Sequence, residues 1–371
     1  MSTYMYKTKD QNPIDAVKTV LSAMLAKSQV DAVFVAARTP YAKLPMPALI
    51  TSADKMDDVD PLAPAAPLNA ARQASSILKY ETGKKIALVL RPCEERALIE
   101  LVKLNQCDIG NAVIIGMTCM GRMENGTYLK CLDDHEDLSI SFYVKPDLQA
   151  HITTTCKSCD KFLSPNADIT IDVTGMKDGI IGFLPQSEKG ETLLSGLYLA
   201  REKTSTYREK TIEDMLKTRQ KEKEQVMKAA KALLNPLENF QKTVATCLNC
   251  YNCRTACPVC YCKECVFLTD IFAHKPEVLF QRAKKKGAIK LPQDTSMFHL
   301  TRLSHMAHAC VGCGHCSSVC PSGIPVADMF RAVAEEVQRL YQYEPGKDMH
   351  ERPPYIAYRE KNTFIEQGED R

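Results

Sequence analysis

No run of about 18 apolar residues, the least that crosses a bilayer as a helix, occurs anywhere in the chain. The opening stretch, MSTYMYKTKDQNPIDAVK, scatters polar and charged side chains where an export signal needs an apolar centre. A transmembrane segment and a secretory leader are therefore not expected, and the reading is a soluble, cytoplasmic protein. Excess charge is missing too. Lys and Arg number 48 against 45 Asp and Glu, a formal net charge of +3. A surface so balanced offers no electrostatic pull on nucleic acid or an anionic membrane, so protein partners are expected. No Gly-x-Gly-x-x-Gly turn is present either, which removes the usual dinucleotide fingerprint.

Cysteine, by contrast, is abundant. Seventeen thiols in a chain without an export signal cannot persist as disulfides in a reducing cytosol, so they read as buried thiols or metal ligands. Cys247, Cys250, Cys253 and Cys257 form C-x-x-C-x-x-C-x-x-x-C ahead of Pro258, and Cys310, Cys313, Cys316 and Cys320 repeat the spacing ahead of Pro321. This is the bacterial ferredoxin pattern for 4Fe-4S clusters: three cysteines in one loop reach three irons, and the fourth serves the neighbouring cluster. The first cluster is expected on Cys247, Cys250, Cys253 and Cys320, the second on Cys310, Cys313, Cys316 and Cys257. Each proline stops a helix from running back into its loop, and Gly312 and Gly314 let the backbone approach sulfide closely.

The segment between the motifs is far longer than the hairpin of the smallest ferredoxins, which points to a mainly helical scaffold. It includes an extra set, Cys260, Cys262 and Cys265, open to two readings. They are inert or stabilising thiols, or they are ligands that displace the expected ones or bind zinc. His305 and His308 flank the second motif and read as packed or surface residues. Cys107 and Cys131 have no partner at ligand spacing, so plain burial is expected.

A chain of 371 residues accommodates at least two domains. Residues 13 to 28 carry Ile14, Val17, Leu21, Met24 and Leu25 at helical spacing, and VDAVFVA (30 to 36) reads as a buried strand. KKIALVL (84 to 90), CEERALIELVKL (93 to 104) and NAVIIGM (111 to 117) repeat the alternation as strand, helix and strand, predicting an α/β fold. The proline-rich PMPALITSADKMDDVDPLAPAAPL (45 to 68) predicts an ordered surface loop over a pocket. SISFYVK (139 to 145), DITIDV (168 to 173) and GIIGFLP (179 to 185) read as strands completing the sheet or a small second one, so α+β remains an alternative. The first domain is expected over 1–190 and a charged helical linker over 191–243. The two-cluster domain follows over 244–335 and a tail over 336–371. Within the linker, Ile212, Met215, Leu216, Val226, Met227 and Leu233 form a weak stripe suited to packing on its own domain, without chemistry.

Four more cysteines stand near candidate strand ends: Cys93 after IALVL, Cys119 after AVIIG, and Cys156 and Cys159 in CKSC. Strand ends converge in α/β folds. A third 4Fe-4S cluster, a zinc site and unrelated buried thiols all remain open on spacing alone.

RPCEERALIELVKLNQ (91 to 106), IGMTCMGR (115 to 122), CKSCDKFLSPNADITI (156 to 171) and CPVCYCKECVF (257 to 267) together resemble the beta subunits of coenzyme F420-reducing hydrogenases and formate dehydrogenases. LSHMAHACVGCGHCSSVCPSGIPVADMF (303 to 330) is similar to the ferredoxin module of formate dehydrogenase beta subunits and of heterodisulfide reductase small subunits. The resemblance implies an FAD-bearing α/β domain with its own 4Fe-4S cluster on Cys93, Cys119, Cys156 and Cys159. It implies a relay between a catalytic formate dehydrogenase or hydrogenase subunit and that flavin, with coenzyme F420 or a partner protein at the other end. Clusters move one electron and hydride carries two, so a flavin stands between them. Arg91 and Arg96 flank the Cys93 turn, as candidates to neutralise flavin phosphates or reduced-flavin charge, with a structural salt bridge as the alternative. In ADITIDVTGMKDG an aspartate replaces the glycine familiar after ADI in this family, with Gly175 and Gly179 close behind. Two other readings stand beside this one: an adaptor in a heterodisulfide-reductase-type complex without F420 activity, and a non-redox scaffold stabilised by zinc.

Overall fold

The computed structural model describes residues 2–7, 12–135, 137–174, 179–197, 199–203, 206–269, 275–289 and 294–356. Gly175 and residues 357–371 of the expected tail lie outside them. The chain opens with β1 (Ser2–Lys7) and α1 (Pro13–Ala26). The Asn12 side chain caps α1 by accepting from Ile14 N and Asp15 N, and Pro13 presets the first turn. After β2 (Ala32–Thr39), β3 (Ala42–Ile50), α2 (Ala71–Ile77) and β4 (Ile86–Val89) come α3 (Pro92–Lys103) and β5 (Ala112–Met117). Short helices α4 (Asn125–Cys131), α5 (Leu138–Val144), α6 (Pro146–Gln149) and α7 (Thr154–Lys157) lead to β6 (Ile169–Asp172) and β7 (Ile180–Pro185). Past residue 190, α8 (Glu188–Ser195) leads to β8 (Ala200–Lys203), and β8 pairs with β1 in the same sheet.

The strands form one mixed sheet in the order β3-β2-β4-β5-β6-β7-β1-β8. Its centre, β2, β4, β5 and β6, is parallel, and the flanking pairings are antiparallel. Two expectations are corrected here. Pro45 and Pro47 sit inside β3, an edge strand, where a residue without an amide hydrogen is tolerated because one side has no ladder to serve. The following residues, Val59 to Ala66, are buried and do not form a surface loop. SISFYVK is helical, not extended. Asp137 Oδ1 accepts from Ile140 N at 3.0 Å, and Leu138 and Phe142, four residues apart, are buried on one helical face.

The rest is helical: α9 (Thr206–Leu234), α10 (Leu237–Val244), α11 (Asn252–Thr255), α12 (Pro276–Lys286), α13 (Thr295–Met306), α14 (His315–Ser318) and α15 (Val326–Tyr341). Among the described residues no helix is long and apolar enough to cross a membrane.

Side chains alternate across a strand, and the core divides accordingly. Val33, Val35, Ala87 and Val89 join α1 residues such as Val17 and Leu21 in one apolar cluster. Ala32, Phe34, Ile86 and Leu88 belong to a second cluster with Leu98 of α3 and with Phe240, Phe298, Met306, Met329 and Phe330 of the helical part. The cysteine-rich helices are thus packed into the same core as one face of the sheet.

Candidate iron-sulfur and electron-transfer site

The cysteines gather where the parallel strands end. From β4 the chain passes Leu90 and Arg91 into α3, whose second residue is Cys93, and Cys119 stands just beyond β5. Thr153 caps α7, its hydroxyl accepting from Cys156 N at 3.1 Å, which fixes the helix that carries Cys156. The Cys93 thiol, pushed up by burial, feels the charges of Cys119, Cys156 and Cys313, and Cys119, pushed up to about 11, feels Cys156 most among the thiols. Three of the four expected residues are therefore within electrostatic reach of one another and of a thiol of the second motif. Cys159 instead shares the wall of a cavity of about 90 Å³ with Cys310, Gly312, Arg96 and Arg331.

The two ferredoxin-type motifs are interleaved. A cavity of about 30 Å³ is walled by Cys257, Cys310, Cys313 and Cys316, so the last cysteine of the first motif faces the first three of the second. Cys247 interacts with Cys320 and Cys250, and Cys253 with Cys247, Cys250 and Cys320. Positive φ at Gly312 (68°) and Gly314 (79°) bends the second loop around its cavity. Gly314 lies against α7: a Cβ there would come within 2.7 Å of Thr155 Oγ1. Among the described residues no three His, Cys, Asp or Glu side chains converge tightly enough for one ion. Burial pushes Cys313 up to about 12, so iron would have to displace protons from thiols otherwise kept neutral.

Of the extra set, Cys260 is close to Cys257 and Cys262 and is pushed up to about 11 by burial, while Cys262 is exposed. Cys107 and Cys131 are half-buried, each against an apolar cluster. His308 is buried with its ring 3.9 Å from that of Tyr355, a packing role as expected.

Arg91 and Arg96 are engaged by protein. Arg91 pairs with Glu94 at 3.3 Å and donates to Ala63 O at 2.6 Å and Ala65 O at 3.1 Å, the structural alternative left open by the sequence. Arg96 donates to Val311 O at 3.0 Å, joining α3 to the second cysteine loop.

Four further arginines were missed. Arg219 of α9 donates to Cys119 O at 3.2 Å and Met120 O at 3.0 Å; Arg331 of α15 donates to Ser158 Oγ at 2.7 Å and Ser158 O at 2.8 Å. Arg122 donates to Ser318 Oγ at 2.7 Å, and Arg302 of α13 to Cys253 Sγ at 3.1 Å. All four are buried. One signal existed for Arg219 and for Lys223, which pairs with Asp160 at 3.0 Å: both continue the apolar stripe of α9 at helical spacing, between Leu216 and Met227.

Residues 83–210 match the family model for the C-terminal part of the coenzyme F420 hydrogenase/dehydrogenase beta subunit, and residues 243–324 match a 4Fe-4S dicluster domain. The chain is similar to this beta-subunit family in both its sheet and its dicluster parts. The F420-dependent formate dehydrogenase subunit beta of Methanocaldococcus jannaschii is 26% identical over 366 residues, covering 90% of this chain and 92% of its own. F420-dependent formate dehydrogenase 1 subunit beta of Methanococcus maripaludis is 27% identical over 405 residues, covering 96% of this chain and 98% of its own. A chain in the structure of the xenon-derivatised F420-reducing [NiFe] hydrogenase complex from Methanosarcina barkeri overlays 63% of this chain and 92% of its own, at a TM-score of 0.47 and 14% identity. The chain is an oxidoreductase complex subunit, and its match to a 4Fe-4S dicluster domain supports iron-sulfur electron transfer.

Proposed function

We propose that the chain relays electrons between a catalytic formate dehydrogenase or hydrogenase subunit and its own FAD, with coenzyme F420 or a partner protein as the other redox end. The observation that carries this reading is the cavity walled by Cys257, Cys310, Cys313 and Cys316, four soft sulfur donors drawn from both motifs. Its counterpart is the group Cys247, Cys250, Cys253 and Cys320. A third cluster is assigned to Cys93, Cys119, Cys156 and Cys159, supported by the electrostatic reach among the first three at the strand ends. When bound, the clusters supply single-electron steps and the flavin converts them to hydride.

For the flavin, support comes from a small pocket at the carboxyl ends of β2, β4 and β5, walled by Phe34, Ala36, Ala65, Val89 and Met117. Its walls suit an apolar ring, and its enclosed space of about 20 Å³ has to open to admit one. Arg91 serves it by holding the Ala63–Ala65 loop, which leaves the flavin phosphates to other groups.

Anaerobic isolation tests the reading. About twelve iron atoms and one FAD per chain are expected, with formate- or hydrogen-dependent F420 reduction once the catalytic subunit is added. Full iron and FAD without F420 turnover selects the heterodisulfide-reductase-type adaptor. Zinc with little iron selects a non-redox scaffold.

A further inference from the structure

Arg302 is 3% exposed, and among the described residues no carboxylate pairs with it. Its Nη1 donates to Cys253 Sγ at 3.1 Å and its Nη2 to Cys253 O at 3.2 Å, while Nε has no partner. The guanidinium lies 4.7 Å from the Phe330 ring centroid and 5.7 Å from that of Phe298. Arg302 also lines the cavity of Cys257, Cys310, Cys313 and Cys316. The thiols that act on it are Cys253 of one group and Cys257 and Cys316 of the other, with Cys260.

An arginine cannot shed its charge by titration, and a buried cation needs a compensating anion. Here the atoms that can supply that negative charge are cysteine sulfurs, drawn from both groups. A guanidinium that donates to thiolate sulfur favours the reduced, more negative form of the attached cluster.

We propose that Arg302 is a shared fixed charge between the two ferredoxin-type clusters that raises the midpoint potential of both. The proposal rests on the cluster assignment above. It makes α13 the element that keeps the pair reducible in a desolvated core, and it gives the long segment between the motifs a role in tuning.

The experiment is an electron paramagnetic resonance redox titration of the full chain, purified anaerobically as wild type, Arg302→Met and Arg302→Gln, with iron assayed on each. At the wild-type midpoint, both clusters in both variants should show about a tenfold lower ratio of reduced to oxidised form, which is 59 mV for one electron. Unchanged midpoints at full iron content overturn the proposal, and a shift of one cluster alone overturns the sharing. Should Arg302→Met lose iron, Arg302→Gln, which keeps donors without charge, decides. Variants that both stay folded by circular dichroism but hold no iron reduce Arg302 to a structural role and overturn the tuning. Wild-type iron below about eight atoms per chain is a separate failure, that of the cluster assignment itself.

Discussion

Replacing Cys257 with serine is expected to empty the second cluster, although Cys257 belongs by position to the first motif. It lines the cavity of Cys310, Cys313 and Cys316, and the sulfur that interacts with Cys247 and Cys253 is that of Cys320. Loss of one thiolate from a cubane is expected to release it, so iron should fall by about four atoms from about twelve. A single substitution does not reveal which cluster has gone. Pairs of substitutions do, because removing two ligands of one cluster costs no more iron than removing one. Cys257→Ser with Cys313→Ser should still lose about four irons, whereas Cys257→Ser with Cys250→Ser should lose about eight. Iron and acid-labile sulfide are measured on anaerobic protein, with flavin content as the control for an intact fold. The reverse pattern, eight irons lost with Cys313 and four with Cys250, would refute crossed ligation.

Tyr343→Phe removes the hydroxyl that lies 2.7 Å from both carboxylate oxygens of buried Glu100, and should lower stability to urea by about 1.5–3 kcal/mol. Gly314→Ala adds a Cβ within 2.9 Å of three Thr155 atoms at a φ of 79°, whereas Gly323→Ala, at φ 64°, meets nothing within 4 Å. Both carry the left-handed backbone penalty of about 1–2 kcal/mol, so only Gly314→Ala should also bleach cluster absorbance; equal bleaching would refute the packing of that loop on α7. His299 is pushed down to about 4 by burial and the nearby Arg302 charge, below its ordinary 6.5. The unfolded chain therefore takes up the proton first, and stability from this group, about 3 kcal/mol, is lost as pH falls from 6.5 toward 4. His299→Leu should flatten that decline in urea midpoints; an unchanged slope would refute the assignment.

The ferredoxin-type motifs were readable because cubane ligation dictates cysteine spacing along a single loop. Strands β4 and β5 and helix α3 were readable because burial imposes a period on their apolar residues. Cys93, Cys119 and Cys156 could not be joined by spacing, since their proximity depends on which strand ends are neighbours in the sheet. SISFYVK misled because β-branched and aromatic residues favour strands on average, while here the Asp137 cap and the buried Leu138–Phe142 pair decide locally. Pro45 and Pro47 argued against a strand, yet an edge position tolerates them. The buried arginines escaped because charged residues are usually solvated, and their carbonyl, hydroxyl and sulfur partners come mostly from distant parts of the chain.

The loop after α15 returns to the beginning of the molecule: Tyr343 and Gly346 N, at 2.8 Å, hydrogen-bond Glu100 in α3, the helix that starts beside Cys93. These partners lie 243 and 246 residues apart, so at about 5–20 residues per second the ribosome needs on the order of tens of seconds to deliver the second after the first. The nascent polypeptide therefore spends that interval with α3 unlatched. If the proposed third cluster is built at Cys93, its finished setting exists only after Tyr343 and Gly346 have been delivered.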